Sequence, residues 1–234
     1  GMTFAHDAEN LYCTFYAECS TKVDIGGVEV EIDQKTAYPN DGEIGITLSP
    51  ATPKEFQLHL RVPTWTRERF VPGDLYSYVD SVNEPIALTV NGEPVATTVQ
   101  DGFATISRKW NAGDRVVLKL PMPLRVSECH ASVEANRGRV ALTRGPFVLC
   151  AEGIDNGGTT QRFFLPNIPS TAATKVSTKA IDSGSFVQIT VPASKITVEE
   201  ETESSDLVLT PYYAWNNRGV GSMTVWFPRN ESLA

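Results

Sequence analysis

Hydrophobic and polar residues alternate with a period of two along most of the chain. Val23 and Ile25 alternate with polar neighbours, and the pattern resumes after Gly26-Gly27 at Val28, Val30 and Ile32. A period of two places successive side chains on opposite faces of a strand. The paired glycines supply the positive φ that a tight turn needs, so this stretch predicts a hairpin. Ile44, Ile46 and Leu48 predict another strand, and Phe56, Leu58, Leu60 and Val62 the next, stopped by Pro63. The run 86–90, then Asn91-Gly92, then 95–99 carries the clearest hairpin signal. Strand-like runs follow at 103–106 and 116–120.

The prolines of Leu120-Pro121-Met122-Pro123 interrupt strand pairing and mark a joint. Strand-like runs resume at 139–143, 147–151, 186–191, 207–210 and 223–227. Many short strands without helical periodicity predict an all-β fold. The expected architecture is two antiparallel β-sandwich domains in tandem, residues 1–122 and 123–234, joined near 121–130. Residues 66–85, with Arg67, Glu68, Arg69, Pro72, Gly73, Asp74, Tyr76 and Tyr78, read as a long loop. The acidic run 199–206 fits no calcium-loop spacing and reads as a solvated loop.

Composition narrows the function classes. Of 234 residues, 41% are hydrophobic, which suffices for a packed core and excludes wholesale disorder. The net charge of −8 argues against nucleic-acid and anionic-membrane partners. No apolar run approaches the ~18 residues of a membrane-spanning helix. Cys13, Cys19, Cys129 and Cys150 show no CxxC spacing, and only His6, His59 and His130 accompany them. They read as free thiols rather than a zinc site. Gly1 before Met2 reads as a cloning scar, and residues 3–10 lack the basic-then-apolar pattern of a signal peptide. The compartment is left open.

No catalytic constellation emerges from spacing. A glycosidase needs two carboxylates facing each other across a sugar. Glu152 and Asp155 follow the apolar run 147–151 and are the pair nearest that description, but turn chemistry accounts for them. His59 alternates within a strand and reads as a sheet-face residue. His130 adjoins Cys129, yet neighbours in a strand point to opposite faces, so no Cys–His pair is expected. Trp226, in Val225-Trp226-Phe227, reads as core. The segment 211–219 stands out: Tyr212, Tyr213, Trp215, Asn216 and Arg218 mix ring faces with amide and guanidinium donors. That mixture suits a sugar or a polar interface.

Several segments, in order, resemble one known family. Thr36-Ala37-Tyr38-Pro39-Asn40-Asp41-Gly42 looks like its T-x-Y-P-W-D-G stretch, with Asn40 where the family has Trp. Leu58-His59-Leu60-Arg61-Val62-Pro63-Thr64-Trp65 resembles its L-x-L-R-I-P-x-W strand. Val90-Asn91-Gly92-Glu93-Pro94, Gly102-Phe103-Ala104, Arg108-Lys109-Trp110 and Gly113-Asp114 keep its order, as do residues 120–125 and 136–146. The 211–219 cluster closes the match, which covers roughly residues 11–227. The family is glycoside hydrolase family 127, the β-L-arabinofuranosidase-like hydrolases.

The resemblance implies an N-terminal (α/α)6 barrel followed by β-sandwiches. It implies retaining hydrolysis of β-L-arabinofuranosides by a zinc-bound cysteine nucleophile and a glutamate acid, all within the barrel. The matched segments lie downstream of those residues, so no catalytic residue and no metal ligand carries over. No cofactor is expected in this chain; the family's barrel would carry the zinc. The expected role is the non-catalytic C-terminal part of a bacterial glycoside hydrolase, bracing the barrel or forming a subunit interface. The alternative is a stand-alone carbohydrate-binding β-sandwich module. Expected partners are the barrel of the same protein, a second copy of the chain, or a plant-type glycan. Tyr212, Tyr213, Trp215, Asn216, Arg218, Tyr38 and Asp41 are the candidate sugar-contact or barrel-interface residues.

Overall fold

The computed structural model describes residues 3–68, 70–80, 84–96, 98–167, 174–181 and 184–230. The fold is all-β, and the chain divides into two compact units, Gly1–Arg67 with Asn83–Met122, and Glu68–Val82 with Pro123–Ala234.

The first unit is a sandwich of two sheets. One runs, in spatial order, Phe4–His6, Asn10–Cys13, Lys54–Arg61, Phe103–Trp110 and Val99–Gln100. The other runs Cys19–Ile25, Val28–Thr36, Glu43–Pro50, Asp114–Lys119, Ala87–Val90 and Glu93–Pro94. The predicted alternation decides what lies between them: Val30 and Ile32, Ile44 to Leu48, and Phe56 to Leu60 turn inward to one core. Trp110 is fully buried there and donates its indole N–H to the Phe56 carbonyl at 3.1 Å. Pairing is antiparallel except where Asn10–Cys13 lies parallel to Lys54–Arg61. Gly26 and Gly27 (φ +57° and +81°), and Asn91 and Gly92 (φ +54° and +87°), make the two expected hairpin turns.

The second unit is one long sheet in the order Phe163–Phe164, Gly184–Ile196, Thr202–Pro211, Phe147–Glu152, Arg139–Arg144, Leu124–Cys129 and Tyr76–Tyr78. Lys175–Ile181 pairs onto the second of these strands. Phe227–Pro228 pairs with Arg139–Arg144, and Leu165 N–H donates to the Pro228 carbonyl at 2.8 Å. That bond brings the first end of the sheet round toward its middle. The curled sheet encloses a single core that includes Leu142, Leu149, Phe163, Ile189, Leu209 and Phe227.

Four expectations are corrected. The stretch 66–85 is not all loop: Tyr76–Tyr78 pairs with Leu124–Cys129, and the surrounding segment belongs to the second unit rather than to domain 1–122. A buried ion pair from Asp80 to Arg125 and the Arg125 guanidinium over the Tyr78 ring, 3.7 Å from its centroid, hold it there. The strand expected over 95–99 splits, because the chain leaves one sheet after Pro94 and joins the other at Val99. The acidic run is half strand: residues 202–206 extend Thr202–Pro211 past the core, where polar side chains meet water on both faces. Trp226 is only half-buried, stacked on Tyr76 with centroids 6.0 Å apart, while Phe227 fills the core. Arg69, residues 81–83 and residue 97, which fall within the expected loop and strand, lie outside the described residues.

Candidate functional site

The strand Thr202–Pro211 ends in a single 3₁₀ turn, Tyr212–Ala214. Ala214 points inward and is fully buried, so the larger residues around it face out. Tyr212, Tyr213 and Trp215 are 47%, 58% and 39% exposed. The Tyr212 and Trp215 rings are near parallel, 26° apart with centroids separated by 5.8 Å. Tyr213 leans on Phe147 at 5.2 Å. Asn216 follows with φ +64°, a left-handed backbone that asparagine adopts more readily than most residues.

Beneath this turn lies a clamp of opposite charges. The Arg218 guanidinium donates from Nη2 to Glu152 Oε1 at 2.6 Å and from Nη1 to Asp155 Oδ1 at 2.8 Å. Lys179 Nζ approaches Asp155 Oδ1 at 3.4 Å, and the Phe186 ring centroid lies 5.3 Å from the guanidinium carbon. Glu152 also accepts the Asn216 backbone N–H at 3.1 Å and the Thr210 hydroxyl at 3.4 Å. Asn156 ties the 3₁₀ turn Gly153–Asp155 to Val208, accepting its N–H at 2.9 Å and donating to its carbonyl at 2.9 Å. Two carboxylates therefore face two cations, and the clamp is formally neutral. Burial pushes the Asp155 carboxyl up, but Arg218's hydrogen bonds and charge, with Lys179, outweigh it and hold it below 3.8. The hydrogen bond to Asp155 leads the causes that raise the Arg218 value.

A general acid or a sugar nucleophile needs a carboxylate that can reach a substrate. Both carboxylates here are held by the same guanidinium. A long-range ion pair, rather than the expected turn chemistry, engages them, with Lys179 on Asp155 and Thr210 on Glu152 as further partners that spacing does not reveal. Burial pushes the neighbouring Cys150 thiol up to about 11, far from a reactive thiolate.

The five candidates of segment 212–218 lie together in the second unit; Tyr38 and Asp41 belong to the first. Tyr38 follows Thr36, whose hydroxyl accepts its N–H at 2.9 Å, and packs edge-on to Tyr16 with centroids 5.7 Å apart. Asp41 accepts the Glu43 N–H at 2.9 Å. It borders an open groove of about 1010 Å³ in which Asp33, Glu43, Lys35, Lys119 and Arg115 interleave. His59, read as a sheet-face residue, stacks on Tyr12 at 4.2 Å and hydrogen-bonds Thr105 and Asn10. His130 accepts the Ser132 N–H, whereas Cys129 reaches toward the Val133 carbonyl.

Among the described residues, no three of His, Cys, Asp and Glu gather as a metal site. No such group among them fits the zinc that the family resemblance implies.

The fold thus defines a pair of all-β units carrying an exposed aromatic turn on a neutralised clamp. Residues 10–122 match the description "Beta-L-arabinofuranosidase, GH127 middle domain", and residues 124–228 match "Glycoside hydrolase family 127 C-terminal domain". The chain belongs to glycoside hydrolase family 127. It is 30% identical over 213 residues to the non-reducing end β-L-arabinofuranosidase of Bifidobacterium longum subsp. longum, covering 83% of this chain and 30% of that protein. A solved GH127 β-arabinofuranosidase superposes with a TM-score of 0.88 at 34% identity, over 99% of this chain and 37% of that one. A GH127 β-L-arabinofuranosidase from Geobacillus stearothermophilus T6 superposes with a TM-score of 0.81 at 33% identity, over 97% and 34%. The chain spans about a third of the length of these relatives.

Proposed function

We propose that this chain is the non-catalytic β portion of a β-L-arabinofuranosidase-type hydrolase. Its two units brace the catalytic part of the same protein or form a subunit interface; they do not carry out the sugar chemistry. The observation that carries this reading is the clamp. Glu152 and Asp155, the carboxylate pair nearest a glycosidase arrangement, are both engaged by Arg218. The matches to a middle and a C-terminal domain support the same reading. The whole protein's substrate class would then be the β-L-arabinofuranosides named for its relatives.

A chimera tests it. This chain replaces the corresponding third of the Geobacillus stearothermophilus relative, and activity on an arabinofuranoside is compared with that of the unaltered enzyme and of the enzyme with that third deleted. A bracing role predicts a soluble, active chimera and an inactive deletion. A deletion that stays fully active would overturn it.

A further inference from the structure

The sequence offers the aromatic turn two roles, sugar contact and barrel interface, and its surface favours the first. We infer that Tyr212, Trp215 and Asn216 form a binding surface for a neutral oligosaccharide, one that holds sugar without cleaving it. The inference does not depend on how the chain serves a hydrolase.

Three observations select this ligand class. The first is what the surface offers. The Tyr212 and Trp215 rings are near parallel and substantially exposed. The hydroxyls of Tyr212 and Tyr213, the Trp215 indole N–H and the side-chain amides of Asn216 and Asn217 make no hydrogen bond to another described residue. A sugar ring pairs an apolar C–H face with a rim of hydroxyls, which matches rings flanked by unspent donors and acceptors. A peptide anchor gains most from a pocket that desolvates it completely, whereas these rings stand outward on a 3₁₀ turn.

The second is charge. Glu152 and Asp155 are balanced by Arg218 and Lys179, so no net formal charge lies beneath the rings. An anionic or cationic ligand finds no counter-charge in the clamp.

The third is rigidity. The buried Ala214 fixes the turn from inside, and Glu152 fixes it from below through Asn216 and Arg218. Rings already ordered in the free protein lose little conformational freedom on binding.

The test uses the whole chain with neutral arabino-, xylo- and cello-oligosaccharides, followed by calorimetry and tryptophan fluorescence. The wild type is expected to bind at least one of them with a Kd between about 1 μM and 1 mM, and to bind it equally at low and high salt because no charge contributes. Trp215→Ala is expected to weaken binding about tenfold or more while leaving the far-UV circular dichroism and the melting temperature unchanged. Tyr212→Ala, a second and milder truncation, is expected to weaken it as well. No binding by the wild type, binding that both variants retain, or ring burial by self-association in place of sugar would each overturn the inference.

Discussion

Arg218 Nη2 lies 2.6 Å from Glu152 Oε1, joining residues 66 positions apart in the chain. One carboxylate thereby holds both the side chain of Arg218 and the backbone of Asn216. The whole turn carrying the exposed rings hangs from it.

Removing that charge leaves a buried guanidinium short of a partner, and breaking a buried pair costs far more than the pair contributes. Glu152→Gln is expected to destabilise the second unit by about 3 kcal/mol. The first unit, which contributes none of the clamp residues named above, keeps its stability. Chemical denaturation should therefore show one transition shifted, and near-ultraviolet circular dichroism should report looser tyrosine and tryptophan rings.

The clamp also sets an acid limit. Asp155 is held below its ordinary 3.8 in the folded protein, so the unfolded chain binds the proton more tightly. Its contribution to stability is complete above about pH 4 and is lost as pH falls through the folded value. Acid titration followed by fluorescence should show the second unit loosening below about pH 4. Asp155→Asn, which has no such carboxyl to protonate, should lower stability at neutral pH and flatten that part of the curve.

The strands with one buried face were legible in the sequence, because burial on one side is what imposes a period of two. Val28–Thr36, Lys54–Arg61 and Phe103–Trp110 are of this kind. Leu124–Cys129 was not, since its first four residues are all buried and Arg125 and Ser127 break the apolar pattern while sitting inside. The strand Lys175–Ile181 was missed for the opposite reason, as the side chains of residues 175–180 alternate weakly and mostly face water. Composition revealed the aromatic turn, but no local signal revealed its clamp. Glu152, Lys179 and Arg218 come from three distant segments, and nothing in a single sequence marks them as neighbours. Val225-Trp226-Phe227 likewise shows three apolar residues without showing which one enters the core.

A close backbone approach in the first unit gives a sharper stability test. A Cβ on Gly42 would lie 1.9 Å from the Leu120 carbonyl oxygen, in a place where Leu120 N–H already donates to the Gly42 carbonyl at 2.9 Å. Backbone cannot swing aside as a side chain can, so Gly42→Ala should cost about 3 kcal/mol or more. Gly27→Ala is the comparison. It meets nothing within 4 Å and suffers only its φ of +81°, worth about 1–2 kcal/mol. Thermal unfolding of the two variants should separate them clearly.

The strand Tyr76–Tyr78 makes a fourth prediction. Asp80 pairs with buried Arg125 and accepts the Val126 N–H at 2.6 Å. Asp80→Asn should destabilise the second unit by about 3 kcal/mol, because Arg125 keeps its burial and loses its counter-charge. The substitution lies within the sequence range of the first family match, yet the second unit should be the one that unfolds earlier. Hydrogen exchange resolved by segment would show faster exchange in Leu124–Cys129 and unchanged exchange in Lys54–Arg61.

The most direct test of the non-catalytic assignment is to incubate the purified chain with a chromogenic β-L-arabinofuranoside, alongside its Glu152→Gln variant. The account predicts no release of the chromophore above background from either protein. Release by the wild type that Glu152→Gln abolishes, with the variant still folded, would show that the clamped carboxylate is catalytic and would contradict the account.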